Sequence, residues 1–194
     1  VELVTKASAT FQNFLADPEM TWFRNNIGNA SGVLVIPKFI KAGFVFGGAG
    51  GQGALVTRDK ESGEWLGPVF YNLGGASIGL QVGVDISEMV LLVMTENGTD
   101  ALLSNEFKLG ADARVAAGPV GAGAGAATAD VYAFSRSKGL FAGVSVEGSV
   151  ISPARKLNDG FYGPGTNPSD VLVRRTAHNP EGAGFVNAVA STAQ

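Results

Sequence analysis

The amino-acid sequence predicts an α+β fold, in which a strongly curved antiparallel sheet or partly closed β-barrel is flanked by N- and C-terminal helices. Apolar residues recur with a helical period at both ends of the chain, whereas the middle alternates as strands do. Glycine accounts for 28 of the 194 residues, about twice its usual share of roughly 7%. Alternating strands that are rich in glycine favour bulges and curvature.

The first segment predicts an amphipathic helix, and a second helix is predicted to follow it. Asp17-Pro18-Glu19 supplies an N-cap, a first-turn proline and a first-turn acid for the second helix. We expect both helices to cover one face of the sheet. The alternative is that the first helix, or the Trp22-Phe23 pair, enters a lipid interface. The apolar positions of the first helix are Leu3, Val4, Ala7, Phe11, Phe14 and Leu15.

Several apolar runs predict strands. Val33–Ile36 predicts a buried strand that ends at Pro37, and Met89–Met94 predicts a central strand buried on both faces. Residues 76–84 alternate between apolar and small or polar side chains. The low-complexity residues 121–127 predict a strand with one bare face, rather than a flexible linker. Two later helices are predicted to begin at Asn167-Pro168 and at Asn179-Pro180.

The glycine-rich stretch over residues 43–56 needs separate interpretation. The spacing Gly48-x-Gly50-x-x-Gly53 fits a dinucleotide-binding loop, but such a loop needs a helix directly after its glycines. The strand-like run Ala54–Thr57 follows instead, so we expect two extended segments that meet at a glycine-rich bend. At least one of the glycines should have a positive φ or lie against another backbone. The predicted structural glycines are Gly48, Gly50 and Gly51.

Composition and motifs argue against nucleic-acid binding, cysteine chemistry, catalysis and cofactor binding. A net charge of −3 is unlike that of a general nucleic-acid binder, and the lack of cysteine excludes disulfides and thiolate ligands. His178 is the only histidine, and no zinc-protease, nucleophile-elbow or phosphate-loop motif is present. We therefore expect no catalysis, no cofactor, and no binding of NAD, ATP or zinc. A cation held by Asp85 or Asp112 is a minor alternative.

A series of blocks along the chain carries a family resemblance. The longest is Ser135–Gly148, with the sequence SRSKGLFAGVSVEG. The other blocks are Gly32–Pro37, Gly43–Gly48, Phe107–Gly110, Gly118–Gly121 and Phe161–Gly163. Together, and in this order, they resemble the SYLF domain. The resemblance implies one SYLF-like domain over residues 1–194, with N-terminal helices over 1–28, a sheet-rich core over 30–163 and a C-terminal helical segment over 164–194.

The resemblance also implies partners and a location. In eukaryotes the SYLF module accompanies Src-homology or FYVE domains and binds phosphoinositides and actin, whereas bacterial relatives are usually exported single-domain proteins. The segment Leu15–Met20 is most similar to the bacterial members. We therefore expect a periplasmic or exported protein, with peripheral attachment to the cell envelope as a further expectation. The basic N-terminus of eukaryotic lipid binders is not matched, so phosphoinositide specificity is not implied.

Basic residues beside aromatic ones predict a lipid-binding surface. A cation next to an apolar side chain suits an anionic phospholipid, because the charge meets the head group and the apolar group meets the acyl boundary. The candidate lipid-binding residues are Lys38, Phe39, Lys41, Arg136, Lys138 and Phe141. Two alternatives remain open: a protein-interaction scaffold of the envelope, which could be a homo-oligomer joined through sheet edges, and an enzyme for which the sequence offers no nucleophile.

Overall fold

The structure is a computed structural model that describes residues 1–43, 46–78, 83–121 and 128–193. Its α-helices are α1 (Glu2–Ala16), α2 (Thr21–Asn26), α3 (Glu96–Leu103), α4 (Arg155–Tyr162), α5 (Pro168–Leu172) and α6 (Ala183–Thr192). Short 3₁₀ helices cover Pro18–Met20, Ile27–Asn29 and Pro180–Gly182. The strands are β1 (Gly32–Gly43), β2 (Phe46–Arg58), β3 (Trp65–Ile78), β4 (Gly83–Val93), β5 (Phe107–Lys108), β6 (Val115–Ala117), β7 (Val131–Ser137), β8 (Leu140–Gly143) and β9 (Val150–Pro153).

The strands form one strongly curled sheet with helices from both ends of the chain packed on it. Eight strands follow the order β5-β9-β3-β2-β1-β4-β7-β6, and β8 adds to β7. The α+β class and the strong curvature are thereby confirmed. The expectation of a purely antiparallel sheet needs one correction, because β6 runs parallel to β7 and makes the sheet mixed.

Both faces of the sheet are buried over much of its area. Helices α1, α2 and α6 cover one face, which we call the helix-side face, where Phe11, Phe23 and Phe185 pack onto strand residues such as Phe134. Helices α3 and α5, with the chain around β5 and β9, cover the opposite face. The prediction that the N-terminal helices cover one face of the sheet is therefore confirmed. Met89–Val93 is buried on both faces as expected, whereas Met94 follows the strand and is half-buried.

Strand β1 does not end at Pro37, contrary to expectation. The register of β1 shifts between Ile36 and Phe39 against β4, and between Val35 and Lys38 against β2. Such a shift is a β-bulge, and a bulge tolerates a proline within a strand because the ladder is interrupted there. The strand then continues to Gly43.

In the glycine stretch, the predicted structural glycines lie in a strand rather than at a bend, and one of them, Gly51, lies against another backbone as expected. From Phe46 onwards its glycines lie within β2, which pairs with β1 on one side and β3 on the other. A Cβ atom on Gly51 would lie 2.5 Å from the carbonyl oxygen of Lys38, so this glycine meets the β1 bulge as a backbone contact. Gly53, which the sequence argument did not single out, is equally close to β1. Gly48 and Gly50 have no such contact and no positive φ. Phe44 and Val45 lie outside the described residues.

The remaining sequence predictions divide into confirmed and undescribed ones. The side chains of Asp17, Asn167 and Asn179 each accept a backbone hydrogen bond at a helix start, as predicted. Helix α4 begins at Arg155, within the segment expected to be sheet-rich. In the alternating run over residues 76–84, residues 76–78 form the end of β3 and residues 83–84 form the start of β4. Residues 79–82 lie outside the described part of the chain. The strand predicted over residues 121–127 lies, beyond Gly121, outside it as well.

Candidate functional site

One end of the sheet extends beyond its helical cover. We call it the distal end and define it as Lys38–Gly43 of β1, Gly83–Glu88 of β4 and the β7–β8 turn at Lys138–Leu140. Helix α1 crosses the sheet at its inner limit, where the Thr10 hydroxyl donates a hydrogen bond of 2.9 Å to Glu88 Oε1. Beyond this contact Val84 and Ile86 of β4 are exposed, whereas Lys38 and Ile40 of β1 line a groove together with residues of α1 and α4.

Apolar side chains lie exposed on the helix-side face of the distal end. Val90 and Leu92 belong to the core on this face, and alternation along β4 places Val84 and Ile86 on the same side. Val84 is 68% exposed and Ile86 is 53% exposed. Their partners across β1 are Ala42 and Ile40. Exposed apolar groups that are neighbours on a sheet indicate a contact surface rather than isolated surface residues.

The turn between β7 and β8 adds a cation and a further apolar group. Lys138 and Gly139 both have positive φ, 51° and 78°, as a tight hairpin turn requires. The Ser137 hydroxyl donates a hydrogen bond of 3.0 Å to Asp85 Oδ1, which fixes the turn against β4. Lys138 is exposed, and Leu140 is 75% exposed. The turn therefore presents a lysine and a leucine to solvent at the distal end.

Arg136 and Phe141, two of the candidate lipid-binding residues, contact other parts of the fold. Arg136 lies in β7, not in the turn, and its Nη1 atom is 3.1 Å from Glu88 Oε2. The guanidinium carbon lies 5.6 Å from the ring centroid of Phe141, and that ring packs against Phe14 of α1 at 5.0 Å between centroids. Both residues thus help to hold α1 on the sheet, and the Arg136 guanidinium is paired with Glu88.

Lys38, Phe39 and Lys41 are separated by the sheet itself. Phe39 is only 4% exposed and packs in the core of the opposite face, so the expectation that it is presented between two charges is wrong. The physical reason is that β1 continues past its bulge, so that successive side chains alternate between faces. Lys38 lies on the helix-side face, and Lys41 lies on the opposite face across from Asp85.

A groove on the helix-side face lies between α1 and α4, above β1 and β2. Its volume is about 660 Å³. Lys38 lines it together with Lys6 of α1 and Lys156 of α4, which the sequence argument did not connect. The three lysines are far apart in the chain, and no local pattern marks their meeting. Its apolar lining includes Val1, Leu3, Pro37, Ile40, Phe70, Leu157 and Phe161, and its polar lining includes Glu2, Gln52, Asn179 and Glu181.

Titratable groups with perturbed pKa values serve structural roles away from the distal end. The Thr95 hydroxyl, which donates a hydrogen bond of 2.6 Å to Asp130, lowers the pKa of that carboxyl, and the backbone N–H of Arg114 acts in the same direction. Burial raises the pKa of Tyr71. The described residues contain no cluster of three or more His, Asp or Glu side chains that could hold a metal ion. In the same part of the chain, no helix is both long and apolar enough to cross a membrane.

The fold is that of a small α+β domain with a strongly curled mixed sheet, whose distal end exposes apolar side chains. Residues 74–192 match the model of the Ysc84 family, described as "Las17-binding protein actin regulator". The chain therefore belongs to the Ysc84 (SYLF) family, and the resemblance seen in the sequence blocks is confirmed.

Curated relatives support the same assignment. The chain is 39% identical over 157 residues to LAS seventeen-binding protein 3 of Saccharomyces cerevisiae, which covers 76% of this chain and 34% of the relative. The identity to Protein YSC84 of the same yeast is also 39%, over 76% of this chain and 33% of the relative. SH3 domain-containing YSC84-like protein 1 of Homo sapiens is 32% identical over 75% of this chain and 44% of its own length. The chain thus spans a third to under half of these relatives. No solved structure matches it.

Proposed function

We propose that this chain is a non-catalytic module that binds anionic phospholipid surfaces through the distal end of its sheet. The observation that carries the proposal is the exposure of Val84 and Ile86 on the helix-side face of the distal end, with Leu140 exposed on the opposite face and Lys138 exposed in the turn next to it. Three large apolar side chains at one end of a sheet, uncovered by any described element, lose contact with water when that end meets a lipid interface.

The energetics favour a combined apolar and electrostatic contact. Burial of a single large aliphatic side chain contributes about 1.5–3 kcal/mol when it is complete, and each lysine near an anionic surface contributes about 1 kcal/mol. The whole chain carries a net charge of −3, so attraction to an anionic surface must be local rather than global. Lys138 satisfies this condition, whereas Arg136 is already paired with Glu88.

Vesicle co-sedimentation tests the proposal. The protein is mixed with vesicles of phosphatidylcholine alone or with added phosphatidylserine, and the bound fraction is measured at low salt. We expect binding to the anionic vesicles only. The double variant Val84→Ser, Ile86→Ser should weaken it by more than about tenfold, and Lys138→Gln should weaken it by about fivefold. Val173→Ser is the matched control, because Val173 is 60% exposed but lies after α5. A double variant that binds as the wild type does would refute the proposal.

A protein partner is the second candidate function. The family model is described as an actin regulator, and the yeast relative is named for binding to LAS seventeen. An exposed apolar strip serves a protein interface as well as a lipid interface. Co-sedimentation with actin filaments, in the absence of lipid, tests this candidate with the same variants. A homo-oligomer formed through the distal end would be detected by sedimentation velocity, which the double variant should then abolish.

The location of the protein stays a prediction. The relatives reported above are eukaryotic, whereas the sequence blocks led us to expect a periplasmic or exported bacterial protein. Fractionation of the source cells, with detection of the chain in the envelope or the cytosol, tests that expectation.

A further inference from the structure

The groove between α1 and α4 has the size and charge of a site for one small ligand. Its volume of about 660 Å³ falls within the range of roughly 300–1,000 Å³ that is typical of ligand pockets. The groove shares Lys38 and Ile40 with the distal end, but Val84, Ile86, Lys138 and Leu140 do not line it. The inference goes beyond that proposal and does not depend on it.

The charges of the groove favour an anion. Lys6, Lys38 and Lys156 line it together with Glu2 and Glu181, which gives the groove a net positive charge, although the chain as a whole is negative. Lys6 is already engaged by Glu2 at 2.6 Å. Lys38 and Lys156 have no ion-pair partner among the described residues, so they are available to a ligand. An anionic head group that contacts both Lys38 and Lys156 would form ion pairs with them.

The walls of the groove are apolar. Leu3, Ile40, Leu157 and Phe161 are half-buried, and Phe70 lies 2% exposed beneath them. A chain of methylene groups placed along these residues is removed from water, with a gain of about 0.8 kcal/mol per fully buried methylene in the general case. The groove thus combines an apolar channel with a basic rim.

Gly50 lines the groove without a packing reason to be glycine. A Cβ atom on Gly50 would lie 3.6 Å from its nearest neighbour, the carbonyl oxygen of Leu73, which is ordinary contact. The φ angle of Gly50 is not in the left-handed region either. Without a side chain at this position, a ligand in the groove can approach the strand backbone closely. Gly51 differs, because its contact with the β1 bulge explains it.

We propose that the groove binds a single-chain anionic amphiphile, with its acyl chain over Gly50 and its head group beside Lys38 and Lys156. A fatty acid and a monoacyl phosphate share this chemistry, since each joins one hydrocarbon chain to one anionic group. Isothermal titration calorimetry with monomeric dodecanoate and with monomeric dodecyl phosphate distinguishes the two. Binding of either one supports the proposal and assigns the head group, and binding of neither overturns it.

Two glycine variants locate the ligand. Gly50→Val should lower the affinity by more than about tenfold, because the added side chain occupies the space above the backbone. Gly48→Val is the matched control: Gly48 lies on the same strand and face, does not line the groove, and has no atom within 4 Å of a built Cβ. It should bind as the wild type does. Equal affinity of the wild type and Gly50→Val would overturn the proposal.

Charge variants remain informative if Gly50→Val fails to fold. The double variant Lys38→Gln, Lys156→Gln should lower the affinity for the anionic ligand by about fivefold to tenfold. Lys138→Gln should leave it unchanged while it weakens vesicle binding, so failure of this proposal and failure of the vesicle proposal are distinguishable. Dodecyltrimethylammonium, which has the same chain and the opposite charge, should bind more weakly than either anion. Equal binding of the cation would overturn the assignment.

Discussion

Strands β1 and β4 each have one end that is buried in the core and one end that is largely exposed. We assign stability to the buried end and function to the exposed end. At the proximal end, Gly32–Ile36 and Met89–Val93 are buried without exception. At the distal end, most residues of Lys38–Gly43 and Gly83–Glu88 are exposed or half-buried. Because the two strands are antiparallel neighbours, the buried half of one lies beside the buried half of the other.

The boundary between the two ends is the β-bulge at Pro37. It shifts the register of β1 against both neighbours, and Gly51 of β2 provides the room for it. At the same level, Thr10 of helix α1 donates a hydrogen bond to Glu88 of β4. One pair of strands therefore supplies the core of the domain on one side of the bulge and an exposed surface on the other. Mutations on the two sides should have different consequences.

The largest expected difference is between two apolar truncations. Phe134 is completely buried and its ring lies 5.2 Å from that of Phe23, so Phe134→Ala should lower the free energy of unfolding by about 3–5 kcal/mol. Ile86→Ala at the distal end should change it by no more than about 0.5 kcal/mol. Urea unfolding followed by circular dichroism measures both. Similar losses for the two variants would contradict the division of the sheet.

A smaller difference is expected between neighbouring glycines. Gly51→Ala should lower the free energy of unfolding by about 1–3 kcal/mol, because the new Cβ meets the Lys38 carbonyl and the Ile36 side chain. Gly50→Ala should be neutral or stabilising by up to about 1 kcal/mol, since its φ is ordinary and a Cβ fits. If both variants melt at the wild-type temperature, the close contact at the bulge has no energetic weight.

The sequence predicted the fold better than it predicted the site, for a physical reason. Helix starts such as Asn167-Pro168 depend on neighbours in the chain, and Met89–Val93 reveals its burial by its composition. The bulge at Pro37 depends on β2 and β4, so the strand was expected to end there. Local sequence also could not show that Arg136 meets Glu88, 48 positions earlier. The candidate basic residues therefore appeared equivalent in the sequence. In the structure, Lys38 and Lys41 lie on opposite faces of the sheet, and Arg136 is paired with Glu88.

The residues that line the groove could not be predicted from local sequence either. Lys6, Lys38 and Lys156 lie on three elements that only the folded chain brings together. Lys156 follows Arg155 in the sequence, and nothing in that basic pair indicates a meeting with Lys6 or Lys38. The contrast between Gly50 and Gly51 also requires β1 and β3 to be in place. In each case the missing information was the pairing of distant segments.

The smallest effect expected at the proximal end concerns acid stability. Hydrogen bonds from Thr95, and then from Arg114, lower the pKa of Asp130 in the folded state. This carboxylate therefore stabilises the fold above its unfolded pKa of about 3.9, and that contribution is lost as pH falls through the lower folded pKa. We expect a loss of order 1 kcal/mol below about pH 4. Asp130→Asn should lower stability at neutral pH and show a flatter acid profile in urea unfolding. An unchanged acid profile would contradict the assigned hydrogen bonds.

The central claim, that the distal end is the contact surface, is tested most directly by a label at Val84. The chain has no cysteine, so Val84→Cys and Val173→Cys each provide one site for an environment-sensitive fluorophore. Both positions are more than half exposed, at 68% and 60%. The emission spectrum of each labelled protein is measured before and after addition of anionic vesicles. The account predicts a blue shift with higher intensity at position 84 and no change at position 173. A shift at 173 with none at 84 would contradict it.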